Sequence, residues 1–216
     1  MIGLFAYGSL ITHPGHEIES VLDHVIPDVM TPFPVEYARR SQSRAGAPTL
    51  VPVPTGCGAS VKAVVLVLKQ YTRKKKAQNF LYRRELHQEG DLEVIYDDQV
   101  QRQKRDAMVI ETMKNQFGLS VIYYTALKPN FTEILDTKLT QEQKAELLVR
   151  AAIDSVTQGT YAKEMDGLQY LADNIEAGVV TVLTEVYTKA ILSKVGNVSN
   201  LSQARRFIAQ KRGITA

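Results

Sequence analysis

Ala59-Ser60-Val61-Lys62-Ala63-Val64-Val65-Leu66-Val67-Leu68 is the stretch on which the fold turns. It is rich in valine and nearly continuous in apolar character, as a strand buried on both faces is. Immediately before it, Gly56-Cys57-Gly58 reads as a turn. Further upstream Pro27, Pro32, Pro34, Pro48, Pro52 and Pro54 keep the chain extended or looped, with Thr49-Leu50-Val51 as a short or edge strand. At the N-terminus Ile2 to Tyr7 is a short apolar run stopped by Gly8-Ser9, a strand ending in a turn. After His13-Pro14-Gly15, the residues Ile18, Val21, Leu22 and Val25 recur at helical spacing and predict a short amphipathic helix.

Downstream of the valine-rich run, Thr72 offers a helix cap, and Ala77, Phe80 and Leu81 mark the inward face of a helix running to about Leu86. Leu92–Tyr96 and Leu119–Leu127 are strand candidates, separated by the polar span 97–107 and a hairpin or short helix. Beyond Pro129 the texture changes. From Thr140 onward apolar residues recur with helical period: Leu147, Leu148, Ala151 and Ala152, then Leu168, Tyr170 and Leu171, then Leu183, Val186, Tyr187, Ala190 and Ile191. Gly159, Gly178 and Gly196 read as stop signals between these helices. The fold class that emerges is α+β. A small, mixed, barrel-like sheet with flanking helices is expected over 1–130, and a helical C-terminal extension packed on it over 131–216.

The bulk numbers exclude several classes. The 216 residues are enough for a sizeable core, and a 44% hydrophobic fraction is ordinary for a soluble globular chain. A formal charge of +3 falls short of a nucleic-acid-binding signature. One cysteine cannot form an internal disulfide, which suits a reducing compartment. The opening apolar run is too short for a signal peptide's core, and no stretch approaches the roughly 20 apolar residues that cross a bilayer. A cytoplasmic protein with no membrane partner is the expectation.

Two constellations carry chemistry. At Tyr7-Gly8-Ser9-Leu10 a buried strand ends in a glycine turn, which can aim successive backbone N–H groups at one carboxylate. Taken alone, such a turn is more often only a turn. Leu81-Tyr82-Arg83-Arg84-Glu85 closes a helix, and a carboxylate there faces the negative end of the helix dipole. That placement disfavours its charged form and suits a general base, whereas the bland alternative is an exposed glutamate paired with Arg83 or Arg84.

Together these motifs resemble the gamma-glutamylcyclotransferase-like superfamily, most closely its ChaC-type branch. The resemblance rests on Phe5-Ala6-Tyr7-Gly8-Ser9-Leu10, on Leu81 to Glu85 after the valine-rich strand, and on Ser120-Val121-Ile122-Tyr123 followed by Lys128-Pro129-Asn130-Phe131. Asp166-Gly167-Leu168-Gln169-Tyr170-Leu171 with Gly178-Val179 is similar to that branch's helical tail. The resemblance implies a transferase or lyase that needs no cofactor and no metal. A γ-glutamyl group closes on itself to 5-oxoproline and releases an amine, amino acid or peptide, as in glutathione metabolism. By this likeness Glu85 is the catalytic acid/base. Tyr7, Gly8, Ser9 and Leu10 bind the substrate, and Tyr123 offers a hydroxyl from the opposite wall. Tyr124 is adjacent, and the sheet register decides which of the two tyrosines faces the pocket. After Glu85 the branch usually shows a glycine–aromatic pair where this chain has Leu86-His87-Gln88-Glu89-Gly90-Asp91, so the leaving group stays open. The rival from another class is a non-catalytic small-molecule-binding or regulatory module on the same fold.

The remaining signals are weaker. Arg73-Lys74-Lys75-Lys76 begins a helix, where the dipole disfavours cations, but a solvated basic face explains it better than nucleic acid does. His13 and His16 lack the further ligands a metal site needs. His87 lies close to the proposed base but reads as a surface residue. Cys57 has no evident base partner. Ser9 lacks the G-x-S-x-G elbow of a serine hydrolase. Nothing in the sequence speaks for a particular oligomeric state.

Overall fold

The computed structural model describes residues 1–104 and 107–214. Along the chain run β1 (Ile2–Ala6), α1 (Ser9–Thr12), α2 (His16–Ser20), β2 (Leu22–Met30), β3 (Val35–Ser41), β4 (Ala47–Pro52) and β5 (Lys62–Leu68). They are followed by α3 (Lys74–Glu85), α4 (Asp98–Gln103), β6 (Met108–Gln116) and β7 (Leu119–Leu127). The helices α5 (Gln141–Asp154), α6 (Gln158–Ala162), α7 (Gly167–Glu176), α8 (Thr184–Val195) and α9 (Leu201–Lys211) complete the order. The fold is α+β.

Contacts divide the chain into two compact units, Met1–Thr31 with Lys62–Lys128, and Pro32–Val61 with Pro129–Ala216. The third crossing, between Lys128 and Pro129, lies beside the boundary expected at 130. Residues 32–61, however, group with the C-terminal helices rather than with the first unit. The reason lies in pairing: β3 and β4 form a two-stranded sheet of their own, and β4 packs on α5 and α7.

The first unit is built on a five-stranded mixed sheet in the order β2-β5-β1-β7-β6. The central β1 is buried along its whole length, antiparallel to β5 and parallel to β7. The valine-rich run serves both faces. Leu66 and Leu68 join Ile2, Leu4, Ala6, Leu10, Leu81 and Tyr123 on one side. Ala63, Val65 and Val67 join Phe5, Leu119 and Ile122 on the other. From Val65 onward a β5 side chain therefore leaves water whichever way it points, and full burial of each valine or leucine contributes about 1.5–3 kcal/mol.

Several local expectations are corrected. The helix expected to reach Val25 is a single turn, His16–Ser20, and Leu22–Met30 is a strand. Pro27 is tolerated there because β2 ends the sheet and its register breaks between Ile26 and Val29. The proline-rich region holds the β3–β4 hairpin, with the expected Thr49–Val51 strand inside β4. Leu92–Tyr96 forms turn and irregular backbone rather than a strand. The polar span after it holds α4, and its Arg105 and Asp106 lie outside the described residues. Arg73, not Thr72, is the N-cap of α3, and it makes no side-chain cap. Gly178 and Gly196 follow α7 and α8 as expected, whereas Gly159 lies inside α6.

In the second unit α5, α6, α7 and α9 are capped by their own side chains, whereas α8 is not. Thr140 and Gln143 form a reciprocal capping box on α5, and Asn200 caps α9. Asp166 caps α7 through the N–H groups of Leu168 and Gln169 while pairing with Arg205 at 2.6 Å. The core centres on Tyr37, whose ring meets Tyr187 and Tyr170 edge-on at centroid distances of 5.5 and 6.4 Å. No helix among the described residues is long and apolar enough to cross a membrane.

Candidate active site

The candidate residues all belong to the first unit. β1 delivers the chain to Gly8, whose φ of 62° and ψ of −141° lie where a side chain would be strained. Gly8 is the N-cap of the one-turn α1. Its carbonyl accepts from Ile11 N at 3.1 Å, and Ser9 O accepts from His13 N at 3.0 Å. The N–H groups of Ser9 and Leu10 thus stand at the open end of the turn, as the first donors of any helix do. Leu10 is buried and joins the cluster of Ala77, Phe80 and Leu81 from α3, which seats the turn against that helix.

Glu85 is the last residue of α3, and the helix closes just beyond it. Leu86 N reaches Tyr82 O, Gln88 N reaches Arg83 O, and His87 takes a φ of 55°. The two arginines before Glu85 point apart, as successive residues on a helix do. Arg83 is buried and donates to both carboxylate oxygens of Glu17 on α2, at 2.8 and 2.7 Å, and to Val94 O at 3.2 Å. Burial works against the Glu17 carboxylate, but the Arg83 hydrogen bonds and charge outweigh it and hold the group below the usual carboxylate range.

Arg84 turns toward the glycine turn. Its Nε and Nη2 donate to His13 O at 3.0 and 2.7 Å, and Nη2 also reaches Ser9 Oγ at 3.3 Å. Nη1 donates to Glu85 Oε1 at 2.6 Å. The two motifs, far apart in sequence, therefore meet through one guanidinium. The Glu85–Arg84 pair of the bland alternative exists, yet it is not a solvated pair: the side chains are 17% and 11% exposed.

Tyr123 pairs in register with Leu4 of β1 and Thr112 of β6. Its side chain lies in the cluster with Leu10, Leu81 and Tyr96, on the face of the sheet that α3 covers, and burial raises its phenol above the ordinary value. Tyr124 packs with Tyr7, Ile26 and Met113 against the opposite face, where burial and the charge of Glu111 push its phenol up. Tyr7 donates its hydroxyl to Thr125 O at 3.0 Å. Ser9, Leu10, Glu85 and Tyr123 are thus gathered on one side of the sheet, with Tyr7 on the other.

No family model, curated protein or solved structure matches this chain. The site is therefore read from its own geometry.

Sequence reasoning missed the separate tasks of Arg83 and Arg84, and with them Glu17. Neither has a local signal, because the partners lie on α1 and α2, far upstream. In the sequence Gly15 reads only as a turn residue. Its φ is 91°, and a Cβ there would lie 2.1 Å from Glu89 Oε1 and 3.1 Å from Arg84 Cγ. His16 Nδ1 stands 3.5 Å from the same Glu89 oxygen, while His13 Nδ1 contacts Thr12 Oγ1. Among the described residues no three His, Cys, Asp or Glu side chains converge as metal ligands would. Arg73, Lys74, Lys75 and Lys76 are exposed, and Lys75 Nζ donates to Tyr96 O.

Proposed function

We propose that the protein is a cofactor-independent gamma-glutamylcyclotransferase acting in the cytoplasm on a small γ-glutamyl amine, amino acid or peptide. The observation that carries this reading is the Arg84 bridge, which joins the Ser9 turn to Glu85 on the side of the sheet that holds Tyr123. The superfamily's barrel-like form of the sheet is part of the same proposal.

In the reaction the substrate folds back so that its α-amine faces its own γ-carbonyl. Most of the acceleration in such a ring closure comes from orientation. Glu85 accepts a proton from the α-ammonium, and the freed amine attacks the carbonyl carbon. The N–H groups of Gly8, Ser9 and Leu10 hold the α-carboxylate or take up the charge growing on the carbonyl oxygen. The attacking nitrogen sheds its second proton to solvent, the tetrahedral centre collapses, the bond to the leaving nitrogen breaks, and Glu85 returns its proton to that nitrogen. The products are 5-oxoproline and the free amine. Tyr123 donates a hydrogen bond from β7, and Tyr7 supports the turn from behind through Thr125.

The test is 5-oxoproline release from a panel of γ-glutamyl compounds, glutathione included, by wild type and Glu85→Gln. Wild type is expected to turn over at least one compound, and the variant to lose about a hundredfold or more, as for a removed general acid/base. One observation favours the second reading, a non-catalytic binding module: Glu85 Oε1 is already engaged by Arg84 at 2.6 Å. Saturable binding of a γ-glutamyl compound without turnover would select that reading.

A further inference from the structure

We propose that Arg84 is the positioning residue of this site, its guanidinium fixing the Ser9–His13 turn and the Glu85 carboxylate in one relation. The inference deepens the cyclotransferase reading and, for its kinetic consequences, rests on it.

Arg84 uses its donors on three different acceptors: the His13 carbonyl, the Ser9 hydroxyl and the Glu85 carboxylate. A planar guanidinium holds its N–H groups at fixed angles, so satisfying all three at once defines where each must stand. An ammonium in the same place would supply charge without that geometry. His13 O lies one residue beyond α1, so the grip closes the turn at its far end while Ser9 is held at its start. The stem of the arginine is seated as well. Gly15 presents bare backbone to Arg84 Cγ and to Glu89, and a methyl group there would displace one or both. The neighbouring Arg83 ties the other side of the helix end to Glu17 on α2.

A substrate bound at the turn and a base on α3 come from elements joined only through space. Catalysis by ring closure tolerates little misplacement between them. Arg84 removes that freedom before substrate arrives. It also occupies one carboxylate oxygen of Glu85, which directs proton transfer to the other.

The experiment compares wild type, Arg84→Lys, Arg84→Gln, Glu85→Gln and the Arg84→Gln/Glu85→Gln double variant, by steady-state kinetics and by amide hydrogen exchange. Arg84→Gln is expected to lower kcat/KM about ten- to a hundredfold, raising KM and lowering kcat together, whereas Glu85→Gln lowers kcat alone. Arg84→Lys should be nearly as impaired, and the double variant no slower in kcat than Glu85→Gln, because Arg84 acts through Glu85. Exchange at the Ile11 and His13 amides should quicken about tenfold in both Arg84 variants while the Leu81 amide of α3 is unchanged. Full activity in Arg84→Lys, additive losses in the double variant, or unchanged exchange in the turn would each overturn the proposal. A wild type inert on every γ-glutamyl compound strikes down the cyclotransferase reading alone, and the exchange measurement then decides the role of Arg84.

Discussion

Two buried glutamates, one in each unit, are handled in opposite ways. Glu17 meets a guanidinium that donates to both of its oxygens, and its carboxyl is held below the usual range. Glu36 on β3 is fully buried and meets no cation at hydrogen-bonding distance among the described residues. Its oxygens accept from Tyr37 N at 2.9 Å, Thr181 Oγ1 at 2.7 Å and Leu183 N at 3.2 Å. Burial outweighs those three neutral donors, and the carboxyl is pushed up to about 7. Dipolar donors alone do not replace hydration for a fully buried charge, and a bidentate arginine does.

The largest expected effect lies on the paired side. Arg83→Met should destabilise the protein by about 3–5 kcal/mol in denaturant unfolding, because Glu17 is left buried and unpaired. Adding Glu17→Leu should recover most of the loss. A single variant costing no more than a surface change would break the contrast.

The next test is pH. Glu36 binds its proton more tightly folded than unfolded, so its contribution is full below the unfolded value of 4.5 and lost as pH rises toward about 7. Glu17 runs the other way: its contribution is present above the unfolded value and lost as pH falls through the folded one. Glu36→Gln should therefore gain on wild type by about 3 kcal/mol between pH 5 and pH 8, and a flat difference would refute the assignment. In the same unit Asp166 also meets a cation, accepting from Arg205 Nε at 2.6 Å. Asp166→Asn keeps an α7 cap but discharges the pair, with an expected loss of about 2 kcal/mol in the same unfolding assay. The smallest effect belongs to the exposed Glu185–Lys189 pair, where Lys189→Ala should leave the unfolding midpoint unmoved.

Legibility in the sequence followed burial. β1 and β5, covered on both faces, announce themselves by unbroken apolar runs, and α5, α7 and α8 by period. β2 was missed because Val29 is its only buried residue, so no alternation marks it. β6 starts as Met108-Val109-Ile110 and then runs out into solvent, which hides its length. The turn at Gly8 and the helix end at Glu85 are legible because both are local features. The contacts of Arg84 are not, since its partners His13 and Ser9 lie far upstream in the sequence, and charge in a run of arginines carries no address. Glu36 was equally silent, because its partners Thr181 and Leu183 lie far downstream.

The break in β2 has a consequence for how the molecule behaves in a crowded solution. A strand at the end of a sheet offers unpaired backbone groups to any passing extended chain, the first step toward intermolecular sheet growth. Pro27 removes one of those donors outright, and Asp28, at a φ of 56° and paired with Lys62, places a charge and a kink beside it. On this side the sheet is guarded against strand addition by Pro27 and Asp28.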